Sequence, residues 1–348
     1  MTTEYHETIN LNSPPGQAAI KRAGEIIRRG GLVVFPTETV FGLGGNALDA
    51  SAAGKIYAAK GRPSDNPLII HIANPMDAAL YTEISPLYER LADAFMPGPL
   101  TVVMPVKPII PKTVTAGLST VAVRCPSHPV AHALILEAKV PIAAPSANLS
   151  GSPSPTTFSH VREDMDGRVD MILGGECQVG VESTIVKIDG PDRLTLLRPG
   201  EITPEQLSRY ATLILSDAVL NRLKEGEKVE SPGMKYKHYA PKTPLILLRG
   251  DAEHRRSYLA NQSERFAVLT YSEDEDFCRS LSVHPTVFSF GAEENVDEQL
   301  HNLFYLLREA DKAECACIYA PLPKTTGLSL ALYNRMIRAS GYRIVDTE

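Results

Sequence analysis

The sequence has no tryptophan and only five cysteines, and these shortages exclude some classes of protein. The cysteines are scattered without a C-x-x-C pair, so neither a disulfide scaffold nor a zinc site is indicated. No apolar run approaches the roughly 20 residues that a membrane-spanning helix needs. The polar, acidic residues 1–7 are unlike a signal peptide. We therefore expect a cytoplasmic protein with no membrane partner.

The chain also lacks an excess of positive charge. Residues 1–210 carry 18 Lys and Arg against 21 Asp and Glu, and residues 211–348 carry 17 against 20. Neither part is therefore an obvious polyanion-binding module. Binding of tRNA is possible through a local patch, but the charge does not indicate it.

The composition is otherwise that of a globular protein. The 348 residues are 43% apolar and 22% charged, and this length predicts two domains or one large one. Residues 1–210 alternate helix and strand patterns, which favours an α/β architecture with a mixed sheet. The predicted helices are 16–29, 51–60, 85–95 and 129–138. The predicted strands are 32–35, 68–72, 100–105, 121–124, 142–144, 169–173, 184–188 and 194–197.

A second α/β pattern follows a change of composition between about residues 217 and 244. Residues 223–230 are charged and poorly periodic, which is typical of a solvated linker. Beyond them we predict strands at 245–248, 266–271, 286–290 and 316–319, and helices at 252–261, 296–310 and 328–339. The predicted organisation is a catalytic domain at 1–210, a linker at 211–243 and a C-terminal domain at 244–348.

Four polar, turn-rich segments are candidate binding loops, since ligands gather at strand ends in open α/β sheets. The glycine-rich loop 36–46 is equally well explained as a set of tight turns. Lys60 and Arg62 suit phosphate oxygens, but cations at a helix C-terminus are common. Segment 143–156 could bind a nucleotide or merely cap a helix. Segment 180–184 leads through a strand pair to Arg198, a candidate ligand or ion-pair group.

His71 and Arg124 end two apolar strands and complete the candidates. A lone histidine on a strand is more often structural than catalytic. The sequence has no phosphate-loop motif, no G-x-S-x-G or S-x-x-K nucleophile and no H-E-x-x-H metal motif. Covalent catalysis is therefore not indicated, and Cys125 is expected to be a small apolar side chain.

Taken together and in order, these segments closely resemble the YrdC-type domain of the L-threonylcarbamoyladenylate synthases. The resemblance spans residues 15–210, and Ser231–Pro241 (SPGMKYKHYAP) resembles the linker of the two-domain form. One departure is Phe41, where the family often has tyrosine. The motifs that carry the resemblance are 35–44, 60–62, 66–71, 97–101, 121–124, 144–148, 181–185 and 197–200.

This resemblance implies a YrdC-like mixed twisted sheet with a concave active-site cleft, and a smaller Rossmann-like C-terminal domain. It implies a nucleotidyltransferase that condenses L-threonine, bicarbonate and ATP into L-threonylcarbamoyl-AMP and pyrophosphate. Mg²⁺ would come with ATP rather than on protein ligands, and a tRNA threonylcarbamoyl transferase would take the product. The rival functions are an RNA-binding module and a regulatory nucleotide-binding module.

The resemblance also implies three groups of site residues. The catalytic group is Lys60, Arg62, Ser146 and Asn148. The ATP-binding group is Lys60, Arg62, Asn66, Thr120, Ser146, Ser154, Arg198 and Tyr239. The threonine-binding group is Thr37, His71, Arg124, Ala144 and Thr184. Since exposed cations contribute little to folding, we expect loss of Lys60 or Arg62 to reduce turnover far more than stability.

The linker segment 232–241 is rich in aromatic side chains and prolines for a flexible tether. We expect it to fold over the cleft as a lid, with Tyr239 against the nucleotide. The C-terminal domain would then anchor the lid.

Overall fold

The computed structural model describes residues 2–221 and 239–348. These residues form two compact units. Unit 1 comprises residues 2–150 and 154–221, and unit 2 comprises residues 151–153 and 239–348. The predicted lid lies outside the described residues except for its last three, 239–241. Within the two described ranges, no helix has both the length and the apolar character needed to span a membrane.

The described part of unit 1 contains a mixed sheet of eleven strands. In chain order they are β1 Glu4–His6, β2 Val33–Phe35, β3 Gly42–Asn46, β4 Ile69–His71, β5 Leu100–Pro105, β6 Thr120–Arg124, β7 Ile142–Ala143, β8 Met171–Leu173, β9 Thr184–Gly190, β10 Arg193–Arg198 and β11 Thr212–Leu215. Their spatial order is β1-β8-β2-β3-β7-β4-β6-β5-β9-β10-β11. Both parallel and antiparallel pairs occur across its centre, so the predicted mixed sheet is confirmed.

Nine α-helices connect these strands in the described part of unit 1. They are α1 Pro14–Arg28, α2 Ala50–Lys60, α3 Ala78–Tyr81, α4 Pro86–Phe95, α5 Lys112–Thr115, α6 Pro129–Ala138, α7 Phe158–Met165, α8 Pro204–Leu207 and α9 Asp217–Leu220. Side chains of Ser13 and Asp49 accept hydrogen bonds from first-turn N–H groups of α1 and α2. Helix α2 ends because Gly61 adopts the left-handed conformation, at φ 60°, and Lys60 is thereby the last residue of the helix.

The register of the central strands places the polar side chains. His71 of β4 lies opposite Arg124 of β6, and Arg124 lies opposite Thr101 of β5. Because residues directly opposite one another share a face of the sheet, these three side chains lie on the same face. Beside them, α1 and α6 pack on the strand residues Phe35 and Ile142 in an apolar core.

The sequence predicted a loop over the whole glycine-rich segment 36–46, and this prediction is wrong for its second half. Its second half, Gly42–Asn46, is strand β3, which pairs with β2 and β7 in antiparallel fashion. Glycine has a low propensity for strands, so the sequence alone does not indicate a strand here. Close packing explains why position 44 is glycine: a Cβ there would lie 2.7 Å from atoms of both Phe35 and Ile142.

The predicted linker at 211–243 begins too early. Residues Thr212–Leu215 form β11, which pairs in parallel with β10 at the edge of the sheet. The short helix α9 follows, and its Ala218 lies in an apolar cluster with Ile69 and Leu197. The edge strand β11 was missed for two reasons. It is stabilised by pairing with β10, which local sequence does not show, and the charged stretch after it dominates the local composition.

Unit 2 is an α/β domain with five parallel strands in its described residues. The strands are β12 Leu245–Arg249, β13 Ala267–Thr270, β14 Thr286–Ser289, β15 Ile318–Pro321 and β16 Ile344–Asp346, in the spatial order β14-β13-β15-β12-β16. The helices are α10 Ala252–Ala260, α11 Glu275–Ser280, α12 Val296–Asp311 and α13 Ser329–Ala339. Parallel strands joined by helices are the Rossmann-like arrangement that was predicted.

Candidate active site

The segment after β7 is joined to strand β3 by backbone hydrogen bonds. Leu43 N donates to Pro145 O at 2.9 Å, and Ala147 N donates to Phe41 O at 2.8 Å. Gly42 and Ser146 form an antiparallel bridge between these bonds. The first and third candidate loops of the sequence are therefore neighbours. Ser146 and Asn148 are held on a short, ordered stretch of backbone.

Lys60 fixes this stretch from its other side. Its Nζ donates to Ser146 O at 2.5 Å, to Asn148 O at 2.6 Å and to Asn148 Oδ1 at 3.3 Å. Its backbone oxygen accepts from Ser150 N at 2.9 Å. Lys60 is only 3% exposed, so the expectation that it is an exposed cation is wrong. An ammonium group has three hydrogens, so it can donate to three such oxygens at once.

Three of the four predicted catalytic residues, Lys60, Ser146 and Asn148, are thus linked in one hydrogen-bonded group. Ser146 Oγ donates to Asn148 Oδ1 at 2.5 Å, and Asn148 Nδ2 donates to Leu149 O. Arg62, one residue beyond Gly61, donates through Nη2 to Asn66 O and Pro67 O. Arg62 is half-buried, whereas Lys60 is buried.

Asn66 has the features of a ligand-binding residue. Its side chain is 1% exposed, and neither Nδ2 nor Oδ1 has a hydrogen-bond partner among the described residues. A buried amide without partners is costly, so such a group usually serves a bound molecule or water. The backbone oxygen of Asn66 is held by Tyr57 Oη at 3.0 Å.

Arg124 is paired with a residue that the sequence did not single out. Its Nη2 donates to Glu38 Oε1 at 2.7 Å, and both side chains are at least nine-tenths buried. The second oxygen of Glu38 accepts from Ser127 N at 3.2 Å. Arg124 Nε is buried and has no hydrogen-bond partner in residues 2–221 and 239–348.

His71 is a neutral imidazole in the folded protein. Burial, and secondly the positive charge of Arg124, lower the pKa of His71 from 6.5 to about 3. Its Nδ1 lies 3.3 Å from Ile142 O, and its ring meets Phe35 edge-on at 6.1 Å between centroids. His71 can therefore donate or accept a hydrogen bond, but it supplies no charge at neutral pH.

This depressed pKa predicts a defined acid sensitivity. Below pH 6.5 the unfolded chain binds a proton at His71 that the folded chain does not bind until pH approaches 3. The free energy of unfolding should therefore fall as pH decreases through this window. In His71→Gln, urea unfolding at about pH 7.5 and about pH 5 should differ less than in the wild type. An unchanged difference would show that His71 titrates normally.

The hydroxyl groups of Thr37 and Thr184 are already engaged inside the protein. Thr37 Oγ1 donates to Val40 O at 2.6 Å, and Thr184 Oγ1 donates to Ile202 O at 2.9 Å. The sequence led us to expect these hydroxyls to recognise the threonine side chain. In these bonds the hydroxyls of Thr37 and Thr184 act as donors, so they could meet a ligand as acceptors. Their predicted role in recognising threonine stays a prediction.

The remaining nucleotide-binding candidates of unit 1 differ in their hydrogen bonds and burial. Ser154 Oγ donates to Glu182 Oε1 at 2.6 Å. Arg198 donates through Nε to Ser183 O and through Nη2 to Ser183 Oγ. Thr120 begins β6 and is half-buried. Ala144, a threonine-binding candidate, is 3% exposed, and its N–H donates to Ile69 O.

Tyr239 belongs to unit 2, where it packs against other side chains. Its ring stacks on Phe304 at 5.2 Å between centroids, and the guanidinium of Arg335 lies 5.5 Å from it. The side chain is 4% exposed. Its predicted contact with the nucleotide stays a prediction, as does the lid formed by 232–241.

The described residues offer neither a metal cluster nor a reactive thiol at this site. In residues 2–221 and 239–348, no group of three or more His, Cys, Asp and Glu side chains could hold a metal ion. Cys125 follows Arg124, but burial raises the pKa of its thiol to about 12, so it is protonated at neutral pH.

Sequence reasoning missed three polar residues that hold the candidates in place: Glu38, Glu182 and Ser183. All three are buried. Glu38 and Glu182 occur inside the loops that the sequence selected, and a buried acid requires a partner. That requirement was the available signal, but the identity of the partner depends on the tertiary fold.

A mixed sheet with a buried Arg–Glu pair and a lysine-supported polar loop defines an α/β ligand-binding domain, and two family models assign its class. Residues 25–200 match the Sua5–YciO–YrdC model, described as telomere recombination. Residues 202–341 match the model described as threonylcarbamoyl-AMP synthase, C-terminal domain. Together they span most of the chain.

Relatives match over nearly the full length. A threonylcarbamoyl-AMP synthase of Pyrococcus abyssi (strain GE5 / Orsay) is 42% identical over 351 residues, covering 97% of this chain and 98% of the relative. One of Bacillus subtilis (strain 168) is 43% identical over 345 residues, covering 97% and 96%. The crystal structure of P. abyssi Sua5 complexed with L-threonine matches with a TM-score of 0.85 and 38% identity, covering 99% of this chain and 98% of that one. The chain belongs to the threonylcarbamoyl-AMP synthase family.

Proposed function

We propose that this chain condenses L-threonine, bicarbonate and ATP into L-threonylcarbamoyl-AMP and pyrophosphate. It would act as a nucleotidyltransferase: the N-carboxylate of threonine attacks the α-phosphorus, and the bond from that phosphorus to the pyrophosphate oxygen breaks. The single observation that carries the proposal is the hydrogen-bonded group of Lys60, Ser146 and Asn148, with Arg62 two residues after Lys60 in the chain. The full-length family match and the L-threonine bound to P. abyssi Sua5 support the choice of substrate.

The phosphate half of the reaction depends on positioning and on neutralising negative charge. Arg62 presents a planar fork suited to phosphate oxygens. Ser146 and Asn148 would supply a hydroxyl and an amide, and Asn66 would add an amide that has no partner among the described residues. Thr120, Ser154, Arg198 and Tyr239 remain further candidates for contact with the nucleotide.

The amino-acid half is assigned to the face that carries Arg124 and His71. Arg124 would pair with the carboxylate of threonine, since a buried guanidinium whose Nε–H has no partner among the described residues is well suited to that group. Neutral His71 would contact the ligand through a hydrogen bond or by packing. Thr37, Ala144 and Thr184 would line the same region through backbone groups and apolar surface.

The residues fit a Mg²⁺ ion that arrives with ATP better than one held by the protein. The buried carboxylates Glu38 and Glu182 are engaged with Arg124 and Ser154. Phosphate oxygens and water would supply the ligands of the ion, which neutralises phosphate charge when bound. The product would pass to a tRNA threonylcarbamoyl transferase, because a mixed anhydride must be consumed before water hydrolyses it.

The proposal is tested by pyrophosphate release from ATP with each substrate omitted in turn. Release should require both L-threonine and bicarbonate, because the attacking nucleophile is formed from the two. Serine should be a poorer substrate, since loss of one methyl group in a fitted pocket costs about 1–3 kcal/mol. Equal release without threonine would mean that the chain hydrolyses ATP or uses another nucleophile.

A further inference from the structure

The buried carboxylate of Glu38 has no role in the chemistry described above, although it lies in direct contact with Arg124. We propose that Glu38 is a positioning residue that sets the orientation of the Arg124 guanidinium and so determines affinity for the amino-acid substrate. This inference rests on the proposed function. It adds a residue to the site and assigns it an effect on one substrate only.

Glu38 is held rigidly enough to orient a partner. Its carboxylate contacts Arg124 Nη2 at 2.7 Å with one oxygen and Ser127 N at 3.2 Å with the other. Its backbone oxygen accepts from Val179 N at 2.8 Å. The preceding Thr37 closes a turn by accepting from Val40 N and donating to Val40 O. Ser127 therefore holds the carboxylate independently of Arg124, while Val179 and the turn at Thr37 hold the backbone that carries it.

Glu38 engages only part of the Arg124 guanidinium, which leaves another N–H group available for a ligand. A guanidinium has five N–H donors in a fixed plane, so anchoring one nitrogen fixes the direction of the others. Glu38 takes Nη2, while Nε is buried and has no partner among the described residues. A carboxylate ligand could satisfy Nε without displacing Glu38. The ion pair thus keeps Arg124 neutralised and aimed before the substrate binds.

Without Glu38, the guanidinium would be a buried cation that is free to rotate toward other acceptors. Binding of threonine would then carry the cost of ordering the side chain again. The proposed ATP contacts belong to Arg62, Ser146 and Asn148, whose hydrogen bonds described above join residues other than Glu38. The expected signature is therefore a change in KM for threonine with little change in KM for ATP.

The experiment compares steady-state pyrophosphate release by the full chain and by Glu38→Ala, Glu38→Gln and Asp170→Asn. Glu38→Ala should raise KM for threonine about 30-fold and change KM for ATP less than about threefold. Glu38→Gln should recover part of the loss, since its amide oxygen can still accept from Arg124. Asp170 is the matched control because its carboxylate also accepts a hydrogen bond from a backbone N–H, that of Leu32. It is not the carboxylate that pairs with Arg124. Asp170→Asn should leave both KM values unchanged.

The outcomes separate the two claims. If the wild type releases pyrophosphate without threonine, the proposed function fails. If the wild type requires threonine but Glu38→Ala keeps its KM for threonine, the positioning role is wrong. If neither Glu38 variant folds, the Arg124 Nε–H resonance of the wild type, identified by its loss in Arg124→Lys, provides the test. It should shift on addition of threonine, and an unmoved resonance would also overturn the role.

Discussion

Replacement of Lys60 by methionine should reduce turnover at least about 100-fold and also lower stability. Methionine keeps the apolar stem but removes the donors that hold Ser146 O and Asn148 O. Each carbonyl left unsatisfied in a buried position costs about 1–3 kcal/mol. The segment that carries Ser146 and Asn148 would lose its support, so the Ser146 hydroxyl and the Asn148 amide would no longer be in place for the transition state.

Lys55→Met is the matched control for this change. Lys55 lies on the same helix, α2, and its Nζ also donates to a backbone oxygen, that of Gly30 at 2.6 Å. It is exposed, so its loss should leave turnover within about twofold and change stability little. Turnover and thermal or urea unfolding should be measured on both variants. Lost turnover with unchanged stability in Lys60→Met would mean that its charge acts on the phosphates directly.

Arg124→Ala should weaken productive binding of threonine strongly and destabilise unit 1. Loss of a buried, charge-assisted contact with the substrate carboxylate corresponds to about 2–5 kcal/mol, or roughly 30-fold to several thousandfold in kcat/KM for threonine. The variant also leaves the carboxylate of Glu38 buried without its cation, which costs about 3–5 kcal/mol of folding free energy. Arg124→Lys should be intermediate, because it keeps the charge but loses the planar fork.

The double variant Glu38→Leu/Arg124→Leu separates stability from function. Two apolar side chains can replace a buried ion pair with little loss of stability. We therefore expect the double variant to unfold at a higher urea concentration than Arg124→Leu alone, while remaining inactive with threonine. Recovery of activity along with stability would show that Arg124 has only a structural role.

Local patterns predicted most of the fold. The predicted strand 100–105 and helix 129–138 agree with Leu100–Pro105 and Pro129–Ala138 at both ends. Apolar runs and helix caps define such elements locally. Strand β3 was missed because its glycines do not favour a strand by themselves; its pairing with β2 and β7 holds this segment extended. Strand β11 was missed because its pairing with β10 is a tertiary interaction.

The sequence predicted which residues belong to the candidate site better than it predicted which residues they contact. The motifs selected Lys60, Ser146 and Asn148, and the structure places them in one hydrogen-bonded group. The sequence could not show that Lys60 is buried, because its burial depends on a loop 86 residues further along the chain. The same holds for Arg124 and Glu38, which are also 86 residues apart. Pairing at this distance is decided by the order of strands in the sheet.

The central claim is that one compound receives its parts from threonine, bicarbonate and ATP. The most direct measurement is mass spectrometry of the products formed by the full chain from ¹⁵N-threonine, ¹³C-bicarbonate and ATP. The proposed chemistry predicts a single adenylate that carries both isotopes, formed in equal amount with pyrophosphate. An adenylate that lacks the ¹³C label, or release of ADP and phosphate with no labelled adenylate, would contradict it.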